Sequence, residues 1–517
     1  MSWYAKNISI FLSIHNPATS TLNIIHVQGD TMRIQDKITK IERPVKVVQF
    51  GEGRFLRGFA DYMIDVANEQ GVFNGNIVMI KPRPFGSVEK FTEQDSLYTV
   101  ILRGKENREI VNKSRIISSI SQTLNCGDDY PLFMQLAHLD SIRFFISNTT
   151  EKGIELDLHD HFERLPETYP GKLTKFLYER FMAFGGDKDK GLIIIPTELI
   201  EHNGKILKDY VLQMADVWGL SSEFKMWVRE DNIFCSTLVD RIVTGFPDDY
   251  DDVIKDLGYE DKLITIGEPF ALWVIESEKD IRNEFPLNTI GLPVIFTNDA
   301  TPYWERKVRV LNGAHTSSVL IGYLCGFDIV RECMQDELMG EFIHRIVIDE
   351  IVPQVHLPLD EVVDFANSVF ERFENPFIDH SLLTISLSSI LKWKVRLLPS
   401  FREYYEKNRY IPKLLTFSFA VMLAFYSSND FDSENLYNKR ANNDRYKLND
   451  SLNVLKFFAD NSTKDDFVER VCSNVVFWDE DLTQYDNFVN DVTEWYIKIK
   501  NDANKALIEV LGKKEVK

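Results

Sequence analysis

The strongest constraint on this fold is a change of hydrophobic period near residue 300. Upstream, short apolar runs alternate with stretches of helical spacing; beyond Pro293 and Pro302, nearly every segment carries the helical period. Residues 45–50 form an apolar run closed by Gly51, residues 55–67 place apolar side chains on one helical face, and residues 76–80 are apolar again. That succession reads as strand, glycine turn, helix, strand. Residues 98–102, 142–146 and 192–195 are further buried-strand candidates separated by helical or polar stretches, the rhythm of a mostly parallel sheet with crossovers. From Glu305 onward the spacing is helical, as in Phe488, Val489, Val492, Trp495, Tyr496 and Ile499. One interruption, residues 427–451, is rich in Asn, Asp and Lys and reads as a solvated loop. The expected class is therefore α/β, with a mostly α-helical second domain.

A chain of 517 residues, 44% of them hydrophobic, holds more than one ordinary core. It divides most simply into an N-terminal extension (1–40), an α/β domain (41–297) and a helical domain (298–517). The apolar run at 8–14 is far shorter than the roughly 20 residues a membrane helix needs, and the first thirty residues lack the features of a secretory leader. Poor periodicity before Met32 makes that residue the expected start. The net charge of -20 argues against nucleic acid or an anionic membrane as partner, so an acidic substrate would need a local basic pocket. Five widely spaced cysteines, Cys126, Cys235, Cys325, Cys333 and Cys472, read as reduced, mostly packed thiols of a cytoplasmic protein. The oligomeric state is left open.

Lys307, Asn312 and His315 put an amine, an amide and an imidazole on one expected helix. At α-helical pitch they lie at about 0°, 140° and 80° around the axis, so one face offers all three to a substrate. An amine can exchange a proton with a carbinol oxygen, while an amide and an imidazole can hold that oxygen as charge develops. By itself the pattern also suits a surface lysine, an asparagine near a helix end and a core histidine. Gly51-Glu-Gly-Arg-Phe-Leu-Arg-Gly58 sits where a strand turns into a helix and could cradle a pyrophosphate, although Leu56 stands at the third glycine position of a dinucleotide fingerprint. Lys81-Pro-Arg83 ends the second strand with basic residues, which leaves NAD and NADP both open. Ser147-Asn-Thr-Thr-Glu-Lys-Gly153 and Asn203-Gly204 follow strands, at the edge where α/β folds bind ligands. Asp240-Arg241 follows an apolar pair, as a structural ion pair or a substrate contact would. Arg372 to His380 and Lys392-Trp-Lys-Val-Arg396 supply basic groups of the kind a carboxylate requires.

Taken together, GEGRFLRG (51–58), QDSLYT (94–99), SNTTEKGI (147–154), HNG (202–204), STLVDRIVTG (236–245), KxxxxNxxH (307–315) and RFENPxIxH (372–380) resemble the long-chain polyol dehydrogenases of the mannitol dehydrogenase family. The resemblance runs from about residue 44 to beyond Trp478. It implies a Rossmann-type N-terminal domain, a mostly helical C-terminal domain, a cleft between them, NAD(H) as cofactor and no metal. By the same resemblance Lys307 is the general acid/base, and Asn312 and His315 bind and polarise the reacting oxygen. Substrate contacts are expected from Asp240, Arg241, Arg372, His380, Lys392 and Asn203. Cofactor contacts are expected from Phe50, Gly51, Glu52, Gly53, Arg54, Phe55, Asn148, Thr149, Thr150 and Glu151. One departure narrows the expectation: polyol- and fructuronate-acting members typically read CDNxxxNG where this chain reads Thr197-Glu-Leu-Ile-Glu-His-Asn-Gly204, so Leu199 replaces an asparagine. That Glu-Leu pair is similar to members that reduce a hexuronate ketose other than fructuronate, and the expected partner is a small sugar acid. Other uronate ketoses, neutral polyols, and a non-catalytic dinucleotide sensor on the same fold are the alternatives.

Overall fold

The computed structural model describes residues 32–149 and 153–513. Residues 1–31, and with them most of the expected N-terminal extension, lie outside the described residues, as do the candidate cofactor residues Thr150 and Glu151.

Val45–Phe50 is a strand buried on both faces, because alternate side chains feed different cores. Val47 packs on one side with Ile77, Met79, Phe144, Ile146, Ile193 and Ile195. Val48 and Phe50 pack on the other with Val78, Ile80, Leu124, Phe145 and Ile194. Six parallel strands result, in the spatial order 120–125, 76–81, 45–50, 144–147, 193–196, 233–234. In chain order that is 3-2-1-4-5-6, the doubly wound arrangement. The order reverses between Val45–Phe50 and Phe144–Ser147, which opens a crevice at their carboxyl ends.

Residues 98–102 do not join this sheet. They begin the longer strand Tyr98–Glu106, which pairs antiparallel with Glu109–Ile117 and parallel with Thr265–Gly267 in a separate four-stranded sheet. The two-residue connection, Asn107 and Arg108, has φ of 51° and 67°, the left-handed pair that a tight hairpin requires. Asn-Arg lacks the glycine that marks such turns in a sequence, so the hairpin was not legible. A third sheet, Ser236–Asp240, Leu272–Glu276 and Val294–Thr297, leads toward the helical domain and ends one strand at Asp240.

Beyond Thr301 the chain is mostly helical. Lys413–Tyr426 is apolar on all sides because it runs through the middle of this domain, and it packs along Phe488–Asn501. Residues 427–451 are not a loop: Asp430–Phe431, Leu436–Lys439 and Arg445–Leu448 form a three-stranded antiparallel sheet. Leu436, Tyr446 and Leu448 are its buried anchors, with Tyr446 stacked on Phe425 at 4.6 Å. Three anchors among many polar residues are too few to show a period. All five cysteines are free and four are buried. Among the described residues no helix is long and apolar enough to cross a membrane.

Glu350 caps the central helix from beneath, its two carboxylate oxygens accepting from the Leu414 and Leu415 amides at 2.8 and 2.7 Å. Burial pushes its pKa up from 4.5 to about 7, although both amide bonds act in the opposite direction. The stabilising contribution of protonation is therefore complete below about pH 4.5 and lost as pH rises to about 7. Glu350→Gln is expected to flatten the pH dependence of the urea midpoint in that window, by on the order of 3 kcal/mol.

Candidate active site

Gly51 closes the central strand at φ 144°, and a Cβ there would stand 2.9 Å from the Asn148 carbonyl oxygen. Glycine is demanded because two strand ends meet at the crevice. Gly53 precedes the short helix Arg54–Gly58, with open space where its Cβ would be. Arg54 donates to the Thr244 carbonyl at 2.6 Å, and Phe55 stacks on Phe59. Phe50 is buried and stacked on Tyr169 at 5.1 Å. Lys81 donates to Glu52 at 2.9 Å, whereas Arg83 is exposed.

The loops after the fourth and fifth strands are tied together by Glu198, which the sequence marked only as half of the Glu-Leu pair and not as a site residue. Glu198 is buried; one oxygen accepts from the Thr149 amide and hydroxyl at 2.8 and 2.9 Å, and the other from Ser147 at 3.1 Å. Burial pushes its pKa up against these bonds. Asn148 completes the tie through its amide, which donates to the Thr197 carbonyl at 2.9 Å. Asn203 serves the same loops: it is fully buried, donates to the Pro196, Glu198 and Thr237 carbonyls, and accepts from the Gly204 and Thr237 amides. Its side chain is thus occupied by backbone.

A cleft of about 580 Å³ opens here, lined by Arg54, Phe55, Asn148, Thr197, Glu198, Leu199, Val239, Asp240, Arg241, Val243 and Lys307. A second hollow of about 320 Å³ adjoins the same strand ends and is bounded in part by Phe50, Arg83, Thr149, Gly153 and Lys172.

Lys307 begins a π-helical segment, Lys307–Asn312, set between the α-helices Thr301–Arg306 and Gly313–Leu324. The Gly313 amide reaches back five residues to Val308. The angles expected from uniform α-helical pitch therefore do not hold between Lys307 and Asn312, where the turn is wider. Such single wide turns cost hydrogen-bond geometry and recur at functional sites. The Lys307 amine donates to the Val239 carbonyl at 3.0 Å. Burial lowers its pKa, the neighbouring Asp240 resists, and Arg372 lowers it further.

Asp240 shares Arg372 with Glu268, a second carboxylate absent from the sequence reading. Arg372 donates to Asp240 at 2.9 and 3.1 Å and to Glu268 at 2.8 and 3.0 Å, and lies over the Phe270 ring. Burial acts to raise the Asp240 pKa, but Arg372 and Lys307 outweigh it; at Glu268 burial prevails. Arg241 is spent on the Gly58, Pro269 and Phe270 carbonyls, at 2.7, 3.1 and 2.9 Å. His315 lies against the Phe373 ring at 4.2 Å and 6.2 Å from the His380 ring. Burial holds His315 well below the usual imidazole range, helped by His380, Arg372, Arg396 and Lys392, so the ring is neutral. Lys392 donates to the Ile385 carbonyl at 2.8 Å. The fold therefore brings Lys307, Asp240 and the glycine turn to one cleft, and joins them to the His315, His380 and Lys392 group through Arg372.

Removing the shared cation strands two buried carboxylates, so Arg372→Leu is expected to cost roughly 3–5 kcal/mol in a urea titration.

Family models match the chain on both sides of residue 290: the mannitol dehydrogenase Rossmann domain over residues 45–289 and the mannitol dehydrogenase C-terminal domain over residues 299–500. The altronate oxidoreductase of Bacillus subtilis (strain 168) is 42% identical over 448 residues, covering 85% of this chain and 90% of that protein. That of Bacteroides thetaiotaomicron is 41% identical over 451 residues, covering 86% and 92%. Among solved structures, D-sorbitol dehydrogenase in substrate-free form superposes with a TM-score of 0.74 at 20% identity, over 90% of this chain and 95% of that one. Pseudomonas fluorescens mannitol 2-dehydrogenase, in a ternary complex with NAD and D-mannitol, gives a TM-score of 0.62 at 20% identity, over 92% and 95%. Those two likenesses concern the fold alone, whereas the domain models and the relatives above 40% identity speak to descent. The chain belongs to the mannitol dehydrogenase family and is an oxidoreductase.

Proposed function

We propose that the chain interconverts D-tagaturonate and D-altronate with NAD(H), reducing the keto carbon of a hexuronate ketose in galacturonate breakdown, in the cytoplasm. The observation that carries the chemistry is the Lys307 amine, half-buried in the cleft beside the crevice of the parallel sheet. The substrate is argued from the near full-length likeness to altronate oxidoreductases. Leu199, which lines the cleft where the polyol-acting pattern carries an asparagine, supports a substrate other than a neutral polyol.

A dinucleotide suits the residues present. Gly51 lets the first and fourth strand ends meet where a Cβ would strike the Asn148 carbonyl, Gly53 leaves open space at the start of the helix, and the hollows on either side of Asn148 and Thr149 are of ligand size. Gly51, Glu52, Gly53, Arg54 and Phe55, with Asn148 and Thr149, would hold it. Lys81, one of two basic residues that could meet a 2′-phosphate, is already neutralised by Glu52, which supports NAD over NADP. NADH, when bound, supplies the hydride. Asn312 and neutral His315 hold the reacting oxygen as it becomes an alkoxide, and Lys307 gives it a proton. The Val239 carbonyl positions the amine, and burial, opposed by Asp240 and aided by Arg372, lowers its proton affinity. In the oxidation direction Lys307 must be neutral to accept the proton. Its lowered pKa brings that form closer to neutral pH.

Steady-state rates with tagaturonate, fructuronate and fructose, each with NADH and NADPH, test the reading; tagaturonate with NADH is expected to lead, and a lead by another pair overturns it. Lys307→Ala is expected to lose roughly 10²–10⁴-fold in turnover while NADH fluorescence titration stays within a few-fold of wild type. Altronate oxidation is expected to rise with pH and level off above the lowered lysine pKa, while ketose reduction falls over the same interval.

A further inference from the structure

A hexuronate carries a negative charge at the end of its carbon chain, and most cations around the cleft are already engaged. Arg372 serves Asp240 and Glu268. Arg241 serves three backbone carbonyls. Arg309 pairs with Glu403 at 2.8 Å, and Arg306 is buried against the rings of Phe365 and Tyr303. Arg54 lines the cleft but donates to the Thr244 carbonyl from the cofactor side.

Lys392 and Arg396 differ. They stand one turn apart on the helix Ser389–Arg396, hence on one face, and both are half-buried. Arg396 donates to the Thr316 hydroxyl at 3.1 Å, and Thr316 directly follows His315. Lys392 spends one donor on the Ile385 carbonyl. Among the described residues neither forms an ion pair, whereas Lys394, between them on the helix, pairs with Asp479 at 2.7 Å. Arg396 has five N–H donors, of which one meets Thr316. The strain of this arrangement appears in the lysine: burial, then the charge of Arg396, push Lys392 down to about 8, with Asp450 opposing. Burial lowers Arg396 as well. Two adjacent, half-buried like charges are costly unless an anion completes them.

We propose that Arg396, assisted by Lys392, binds the substrate carboxylate and thereby selects a keto acid over a neutral ketose. The assignment rests on the ketouronate reading above. Arg396 offers a bidentate fork, Lys392 a point charge, and Thr316 holds the fork toward the helix that carries His315. The carboxylate is then gripped at one end of the chain while Lys307 meets the carbonyl oxygen at the other.

The test compares tagaturonate with its uncharged methyl ester, in wild type and in Arg396→Gln, Arg396→Lys and Lys392→Gln. NADH fluorescence titration reports which variants keep a folded cofactor domain. Loss of a charge-assisted contact is expected to reduce the acid-to-ester ratio of kcat/KM by roughly 10–100-fold in Arg396→Gln, chiefly through a higher KM for the acid. Smaller losses are expected in Arg396→Lys and Lys392→Gln. An acid-to-ester ratio within twofold of wild type in the variants that bind NADH overturns the carboxylate assignment alone. A wild-type enzyme inert toward every ketouronate overturns the functional reading and this assignment with it.

Discussion

The most deeply buried charged tie between the two domains is one guanidinium, to which the Lys105–Glu374 ion pair and the Asn107 and Arg108 amides on Glu371 are added nearer the surface. Arg372 lies on the helix Leu359–Phe373 of the helical domain, and both carboxylates it holds, Asp240 and Glu268, come from the α/β domain. Four charge-assisted bonds satisfy the cation with almost no solvent present. A buried ion triad of this kind is weak evidence for stability, since apolar packing of the same volume often does as well. What it contributes is geometry. Four directed bonds hold the strand that ends at Asp240 in register with the helix that carries Arg372.

That same position sets the chemistry of the cleft. Asp240 lies beside Lys307, so the negative charge that fastens the domains also raises the lysine's proton affinity, while Arg372 and burial lower it. On its other side Arg372 contributes to keeping His315 and His380 neutral. An amine of lowered proton affinity and a neutral imidazole are therefore both under the influence of one buried cation, with burial the larger cause at each. The wide turn at Lys307–Asn312 belongs to the same design, since it departs from regular helix where the amine enters the cleft.

Much of this was legible in the residues. The runs at 45–50, 76–80, 142–146 and 192–195 declared buried strands, and Gly51 declared the turn, because burial on both faces leaves an uninterrupted apolar signature. The KxxxxNxxH spacing singled out the amine and its companions as candidates. The π turn did not show, because an inserted residue alters the backbone hydrogen bonds without altering residue types. The hairpin at Asn107-Arg108 and the sheet at 430–448 were hidden by turn residues and polar composition that give no period. The burial of Glu198 and Glu268 was missed for a simpler reason: a lone glutamate carries no sign of being buried.

The sequence by itself determined the class of the strongly periodic elements, the order of the two domains and the family's ordered motifs, since these depend on local propensity and spacing. Only the tertiary structure decided which charges are committed and which are available. Arg241, Arg372 and Arg396 are equivalent on paper. One is consumed by backbone carbonyls, one by carboxylates 104 and 132 residues away, and one, among the described residues, donates to a threonine hydroxyl and forms no ion pair. Pairing is a matter of a few ångströms in space, and the chain folds many distant residues into that range.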